Sequence, residues 1–98
     1  MANGILVYSK NAIRNTGVLT ISKDNWIDLD NSVYAKQNIV TLNGVNDKTI
    51  LNGGVALESL QIAKDCGLAN MNKCSENQVI FYAQSVPTDN IQIEYYIL

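Results

Sequence analysis

The sequence predicts an all-β protein, a small β-sandwich of six or seven short antiparallel strands with one short helix near residues 57–66. Short apolar runs rich in β-branched and aromatic residues recur along the chain. Asn, Gly, Thr and Ser separate these runs, as tight turns require. Only one stretch has helical spacing. A chain of 98 residues, 47% of them apolar, is expected to form a single domain over residues 1–98.

Two strands are predicted at the start of the chain. They are residues 5–9 (ILVYS) and residues 18–22 (VLTIS), and residues 15–17 (NTG) are typical of a turn between them. Residues 23–32 are mostly polar. We expect this last stretch to be a loop that leads to the next strand.

The middle of the chain predicts one longer strand and one short strand. The longer strand lies within residues 33–42 and is best formed from Gln37 onward. Asn43-Gly44 then ends it with a two-residue turn. A short strand is predicted at residues 49–51, and residues 52–54 (NGG) are expected to break the chain again.

The helical stretch covers residues 56–67. Leu57, Leu60 and Ala63 recur with the spacing of one helix face. Gly67 stands where a helix commonly ends on a left-handed residue, because glycine adopts that conformation without steric cost. A weak strand at residues 68–72 is predicted to follow.

The last third of the chain has the pattern strand, turn, strand. A turn at residues 75–77 leads into residues 78–84 (QVIFYAQ), and a polar segment with Pro87 separates this run from residues 91–98 (IQIEYYIL). The final run has a period of two, which indicates a half-buried strand. The face predicted to point into the core carries Ile91, Ile93, Tyr95 and Ile97.

The opposite face of the final run begins with Gln92 and Glu94 and ends with Tyr96 and Leu98. A polar face that turns apolar has no use on the solvent side of a monomer. If this run is an edge strand, such an ending favours contact with another chain. Tyr96 and Leu98 are therefore the candidate interface residues, in a contact between identical subunits.

Trp26 is the single tryptophan and stands among turn residues. We expect it to close one end of the core, with its indole N–H turned to a hydrogen-bond partner. The alternative is an exposed stacking surface for a sugar.

Catalytic chemistry is not indicated. Histidine is absent, which removes the commonest general base and the commonest metal ligand. No Ser-His-Asp or Cys-His set can exist, and no phosphate-binding loop with its lysine is present. Asp28, Asp30 and Ser32 resemble the start of a calcium loop, but the glycine and glutamate of such a loop do not follow. We expect a non-enzymatic protein without cofactor or metal.

The net charge of the chain and the length of its apolar runs limit the partners and the cellular location that we expect for the protein. The net charge is −2 and the basic residues are scattered, so nucleic-acid binding is not expected. The apolar run at residues 5–8 is too short for a signal peptide or a membrane span, so we expect synthesis in the cytoplasm and no membrane insertion. In a reducing cytosol, Cys66 and Cys74 are favoured as free thiols, and a disulfide between them is the alternative.

The order of several features resembles a known family. The features in order are Trp26, Tyr34, Gln37, residues 39–45 (IVTLNGV), a helix ending at Gly67, residues 79–87 (VIFYAQSVP), and a last run ending in Ile97 and Leu98. In this order they resemble the small β-domain at the carboxyl end of bacteriophage tail-fibre and baseplate-associated proteins, and the similarity covers about residues 18–98.

The resemblance implies a non-enzymatic structural module of the phage tail or tail fibre, located in the virion. It implies a homo-oligomer, with a trimer favoured, or contact with other tail proteins. Attachment to a host-surface glycan is an additional implied role. Two alternatives stay open. One is a small acidic phage-encoded protein (pI about 4.8) that binds and blocks a host factor, and the other is a carbohydrate-binding module with Trp26 and exposed tyrosines as the stacking surface.

Overall fold

The computed structural model describes residues 16–98. These residues form two antiparallel sheets with one short helical segment, which confirms the predicted all-β class. The predicted strand at residues 5–9 lies outside the described residues. The strands are β1 (Thr16–Ile21), β2 (Trp26–Asp28), β3 (Lys36–Thr41), β4 (Leu51–Val55), β5 (Leu68–Ser75), β6 (Gln78–Ala83) and β7 (Ile91–Ile97). A 3-10 turn (Leu57–Ser59) continues into helix α1 (Leu60–Cys66).

One sheet has the strand order β1-β7-β4 and the other has the order β2-β3-β6-β5. β7 is therefore the central strand of its sheet, so the condition that this run is an edge strand is not met. β6 and β7 form as predicted, but they belong to different sheets, because the polar segment with Pro87 carries the chain from one sheet to the other. Every pair of neighbouring strands is antiparallel.

The core lies between the two sheets. Ile21 of β1 stands directly opposite Ile91 of β7, and neither side chain has any exposed surface. The predicted inward face of β7 is confirmed, because Ile91 and Ile93 are buried while Tyr95 and Ile97 pack against the core. The four-stranded sheet contributes Val79, Phe81 and Ala83, and the helix contributes Ala63 and Cys66.

The end of helix α1 is formed as predicted. Gly67 has φ +67°, in the left-handed region, and its N–H donates to the carbonyl of Lys64 at 3.2 Å. The N–H groups of Gln84 and Ser85 donate to the carbonyl of Cys66, at 3.1 and 3.0 Å. The segment that leaves β6 therefore satisfies a carbonyl that the helix leaves unpaired at its end.

Two of the predicted turns at the start of the described chain are strands instead. Thr16 and Gly17 are the first residues of β1, where they pair with Tyr96 and Tyr95 of β7. Residues 26–28, within the predicted loop, form the short strand β2 on the edge of the four-stranded sheet. In both places, pairing with another strand outweighs the local preference of polar residues and glycine for turns.

The position of β4 differs from the strand and the chain break predicted for residues 49–54. The strand begins at Leu51 rather than Thr49, and residues 52–54 lie inside it. Gly53 is required there by packing, because a Cβ atom at this position would stand 2.8 Å from Cγ2 of Ile93. The glycine that predicted a break therefore allows β4 to approach the core side of β7.

Asn77, in the turn between β5 and β6, holds the turn at Asn43-Gly44 in place. Asn77 has φ +57°, a conformation that asparagine tolerates, and its Oδ1 accepts from the N–H of Gly44 at 3.0 Å. The N–H of Asn77 donates to the carbonyl of Val45 at 2.9 Å. The predicted Asn43-Gly44 turn thus exists, but it directs the chain across to β4 in the other sheet instead of closing a hairpin.

Candidate functional site

The outward face of the three-stranded sheet carries the candidate interface residues. β7 alternates, so Gln92, Glu94 and Tyr96 face away from the core while Ile91 and Ile93 face into it. Tyr96 stands between Thr16 of β1 and Asn52 of β4. Thr16, Tyr96 and Asn52 form one row across the outward face, and Tyr96 is the aromatic residue of this row.

Apolar side chains gather at one end of this face. The N–H of Leu98 donates to the carbonyl of Ile50 at 3.0 Å, which places these two residues side by side just beyond the ends of β7 and β4. Val18 lies diagonally across from Tyr96, because its direct partner is Glu94. We call the four residues the outer patch; their exposed fractions are 63% for Val18, 58% for Ile50, 48% for Tyr96 and 74% for Leu98.

The other end of the face is polar. Thr20 and Gln92 stand opposite each other, and the hydroxyl of Thr20 donates to Oε1 of Gln92 at 2.8 Å. Glu94 lies between Gln92 and Tyr96 on the outward face of β7, directly opposite Val18, and is exposed. A patch with one polar border is typical of a contact surface, where an apolar centre excludes water and a polar rim stays wet.

The outer patch can act only through its side chains. Both backbone edges of β7 are paired, one with β1 and the other with β4. A contact at Tyr96 and Leu98 therefore uses the face of the sheet and not a strand edge. Sequence reasoning found Tyr96 and Leu98 from the period of two in residues 91–98. It missed Val18 and Ile50, because the strands that place them beside β7 are far apart in the chain.

Trp26 packs at the margin of the core, as predicted. Its ring is partly buried and contacts the core residues. The predicted partner of its indole N–H is absent from residues 16–98, since Nε1 is buried and makes no hydrogen bond there. Asn38, the residue directly opposite on β3, is 1% exposed; its Nδ2 donates to the carbonyl of Ser22 at 2.8 Å, and its Oδ1 has no partner in the described chain.

A hollow lined by two tyrosines lies elsewhere on the surface, away from Trp26. Tyr34 and Tyr82 line it together with Leu29, Asn31 and Met71, and its volume is about 270 Å³. The side chain of Asn31 accepts from the N–H groups of Val33 and Tyr34, both at 2.8 Å, and so holds the turn that presents Tyr34. The sequence indicated exposed tyrosines in general, but residue spacing carried no signal that brings these two together.

The titratable groups of the described residues form no metal-binding cluster. No three His, Cys, Asp or Glu side chains cluster there as metal ligands would. The carboxylate of Asp28 is engaged by Lys36, whose hydrogen bond and positive charge lower the pKa of Asp28 below its ordinary value. Asp28 therefore belongs to a surface ion pair across β2 and β3.

Cys66 and Cys74 are free thiols and both are buried, as expected from the cytosolic interpretation. Burial disfavours the charged thiolate and raises the pKa of each thiol. The thiol of Cys66 also donates to the carbonyl of Ala63 at 3.4 Å. A raised pKa and lack of access make both cysteines small core residues rather than nucleophiles.

Comparison with known proteins gives no relative, since no protein-family model, curated protein or solved structure matches the chain. No helix within residues 16–98 has the length and apolar character needed to span a membrane.

Proposed function

We propose that the chain is a non-enzymatic structural module of a bacteriophage tail or tail fibre that assembles with identical copies through the outer patch. The observation that carries the proposal is the outer patch itself, four exposed apolar side chains at one end of the outward sheet face. Exposed apolar clusters with a polar border are typical of protein contact sites. The phage tail context, the virion location and the preference for a trimer come from the resemblance of the ordered sequence features.

The geometry of the outer patch suits identical subunits. Tyr96 supplies a large ring with a polar hydroxyl, the type of side chain that often contributes most to protein contacts. Leu98 and Ile50 lie at the same end of the face and are joined by a backbone hydrogen bond. Glu94, the charge on the central strand, borders the patch, so copies that approach symmetrically keep their like charges at the rim.

The test is the molecular mass of the full chain in solution. We expect the parent protein to be oligomeric at micromolar concentration, and Tyr96→Ser with Leu98→Ser to lower the mass measured by light scattering while the circular dichroism stays native. The matched control is Leu57→Ser with Val86→Ser, which removes two exposed apolar side chains outside this face. A parent that is monomeric, or a control that dissociates equally, contradicts the proposal.

A second function is favoured by the tyrosine hollow. Two tyrosines with an asparagine beside them suit a saccharide, because rings stack on the apolar faces of sugars while amides bond to hydroxyls. Host-glycan attachment is compatible with the tail role. We expect Tyr34→Ala with Tyr82→Ala to abolish binding on a glycan array, while Leu57→Ala, outside both the hollow and the outer patch, leaves it unchanged. Binding that depends on Trp26 instead, or no binding by the parent protein, contradicts the role of the hollow.

A further inference from the structure

The outward face of the four-stranded sheet carries a second group of exposed apolar side chains. Ile27 of β2 stands opposite Gln37 of β3. Ile39, the next outward residue of β3, stands opposite Ile80 of β6. Ile27 is 48% exposed, Ile39 is 39% exposed and Ile80 is partly buried. Successive residues of a strand point to opposite sides, and Asn38 points into the core, so these three side chains point away from it. We call Ile27, Ile39 and Ile80 the isoleucine face.

Each outward sheet face carries one charged residue in the paired rows of residues 16–98. On the three-stranded sheet it is Glu94, which stands opposite Val18 of the outer patch. On the four-stranded sheet it is Lys73, which stands opposite Ile80 of the isoleucine face. Both charged residues are exposed, and neither forms an ion pair within residues 16–98. The two faces are therefore alike in apolar character and opposite in charge.

We propose that the outer patch of one copy packs against the isoleucine face of the next copy, with Glu94 of the first beside Lys73 of the second. This inference rests on the proposed assembly of identical copies and names the surface that the outer patch meets. Glu94 and Lys73 each stand one strand spacing, about 4.8 Å, from an apolar residue of their face. When Val18 of one copy lies on Ile80 of the next and the two rows are aligned, the charges become neighbours.

A symmetric contact between two outer patches would satisfy these surfaces less well. It leaves both Glu94 carboxylates without a cation, and the isoleucine face of each copy stays open to water. The contact between unlike faces covers both apolar surfaces and brings opposite charges together. An exposed ion pair adds little affinity, but opposite charges at the rim select which surfaces meet.

The contact between unlike faces does not end at two copies. The two faces lie on opposite sides of the core, so one copy can use both at the same time. After two copies have joined, one outer patch and one isoleucine face remain free for further copies. We therefore expect the parent protein to exceed the mass of two chains in light scattering. A mass that stops at two chains overturns this inference but agrees with the proposed self-association, whereas a monomeric parent contradicts both.

A mixture of two variants tests which faces meet. Tyr96→Ser with Leu98→Ser removes the outer patch, and Ile27→Ser with Ile39→Ser removes two exposed members of the isoleucine face. We expect each variant alone to be monomeric with a native circular dichroism spectrum. An equimolar mixture should reach the mass of two chains and no more, because one pair of intact faces remains. A mixture that stays monomeric, or an isoleucine variant that still associates by itself, overturns the inference.

Exchange of the two charges tests the same contact without removing an apolar side chain. Glu94→Lys alone and Lys73→Glu alone should each raise the dissociation constant several-fold, because like charges then meet. The chain with both changes keeps the net charge of −2 and should recover the parent mass. Lys64→Glu, an equal charge change at an exposed position of α1, should leave the mass unchanged. A double variant that does not recover association overturns the proposal.

Discussion

Two structural constraints favour glycine at position 67, at the end of α1. Its φ of +67° is unfavourable for any residue with a Cβ atom, and an added Cβ would also overlap the side-chain amide of Gln84. We expect Gly67→Val to lower the free energy of unfolding by about 1–2 kcal/mol or more, measured by urea denaturation. The same substitution in a Gln84→Ala background removes the overlap, so the loss that remains reports the backbone. A melting curve unchanged by Gly67→Val contradicts the helix end described here.

Trp26 contributes to the stability of the fold through the packing of its ring and not through a hydrogen bond from its indole N–H. Since Nε1 is buried without a partner in residues 16–98, replacing the indole by a phenyl ring removes a polar group that gains nothing there. We expect Trp26→Phe to stay within about 1 kcal/mol of the parent protein, and Trp26→Ala to cost about 3–5 kcal/mol. Chemical denaturation followed by circular dichroism measures both. Equal losses for the two variants would show that the indole N–H is bonded after all.

The two adjacent glycines of β4, Gly53 and Gly54, differ in the space available for a side chain. A Cβ at Gly53 would stand 2.8 Å from Ile93, whereas a Cβ at Gly54 meets nothing within 4 Å. We expect Gly53→Val to destabilise the fold by about 1–3 kcal/mol through overpacking. Gly54→Val should be neutral or stabilising, because a β-branched residue suits an open strand position. Thermal melts of the two variants compare them directly, and a reversed order would place the wrong residue toward the core.

The two sheets share one core, so the whole molecule should unfold in one step. Trp26 reports on the four-stranded sheet, and far-ultraviolet circular dichroism reports on both sheets. We expect the two signals to give the same midpoint in urea, as cooperative domains of this size do. Fluorescence that changes at a lower urea concentration than the dichroism would mean that the four-stranded sheet opens separately.

The local sequence pattern was enough to predict those features that depend only on neighbouring residues. The period of two in β7 predicted its buried face, and the position of Gly67 after an apolar helical spacing predicted the left-handed residue. These signals lie within a few neighbouring residues. They need no knowledge of what the element packs against.

Long-range pairing was not predictable from the same signals. The position of β7 in the centre of its sheet depends on β1 and β4, which are distant in the chain. The outer patch and the tyrosine hollow are likewise assembled from separate strands and loops. Gly53 was predicted as a break because its reason for being glycine is a contact with Ile93, a residue 40 positions away in the sequence.

The central position of β7 also sets the order of events during synthesis. β1 and β4 are made first, yet each pairs with β7 in this sheet and not with the other. While translation proceeds, both strands must wait with unpaired edges until residues 91–97 have left the ribosome. The three-stranded sheet is therefore completed only after β7 has emerged, and until then β1 and β4 carry unpaired edges that favour aggregation.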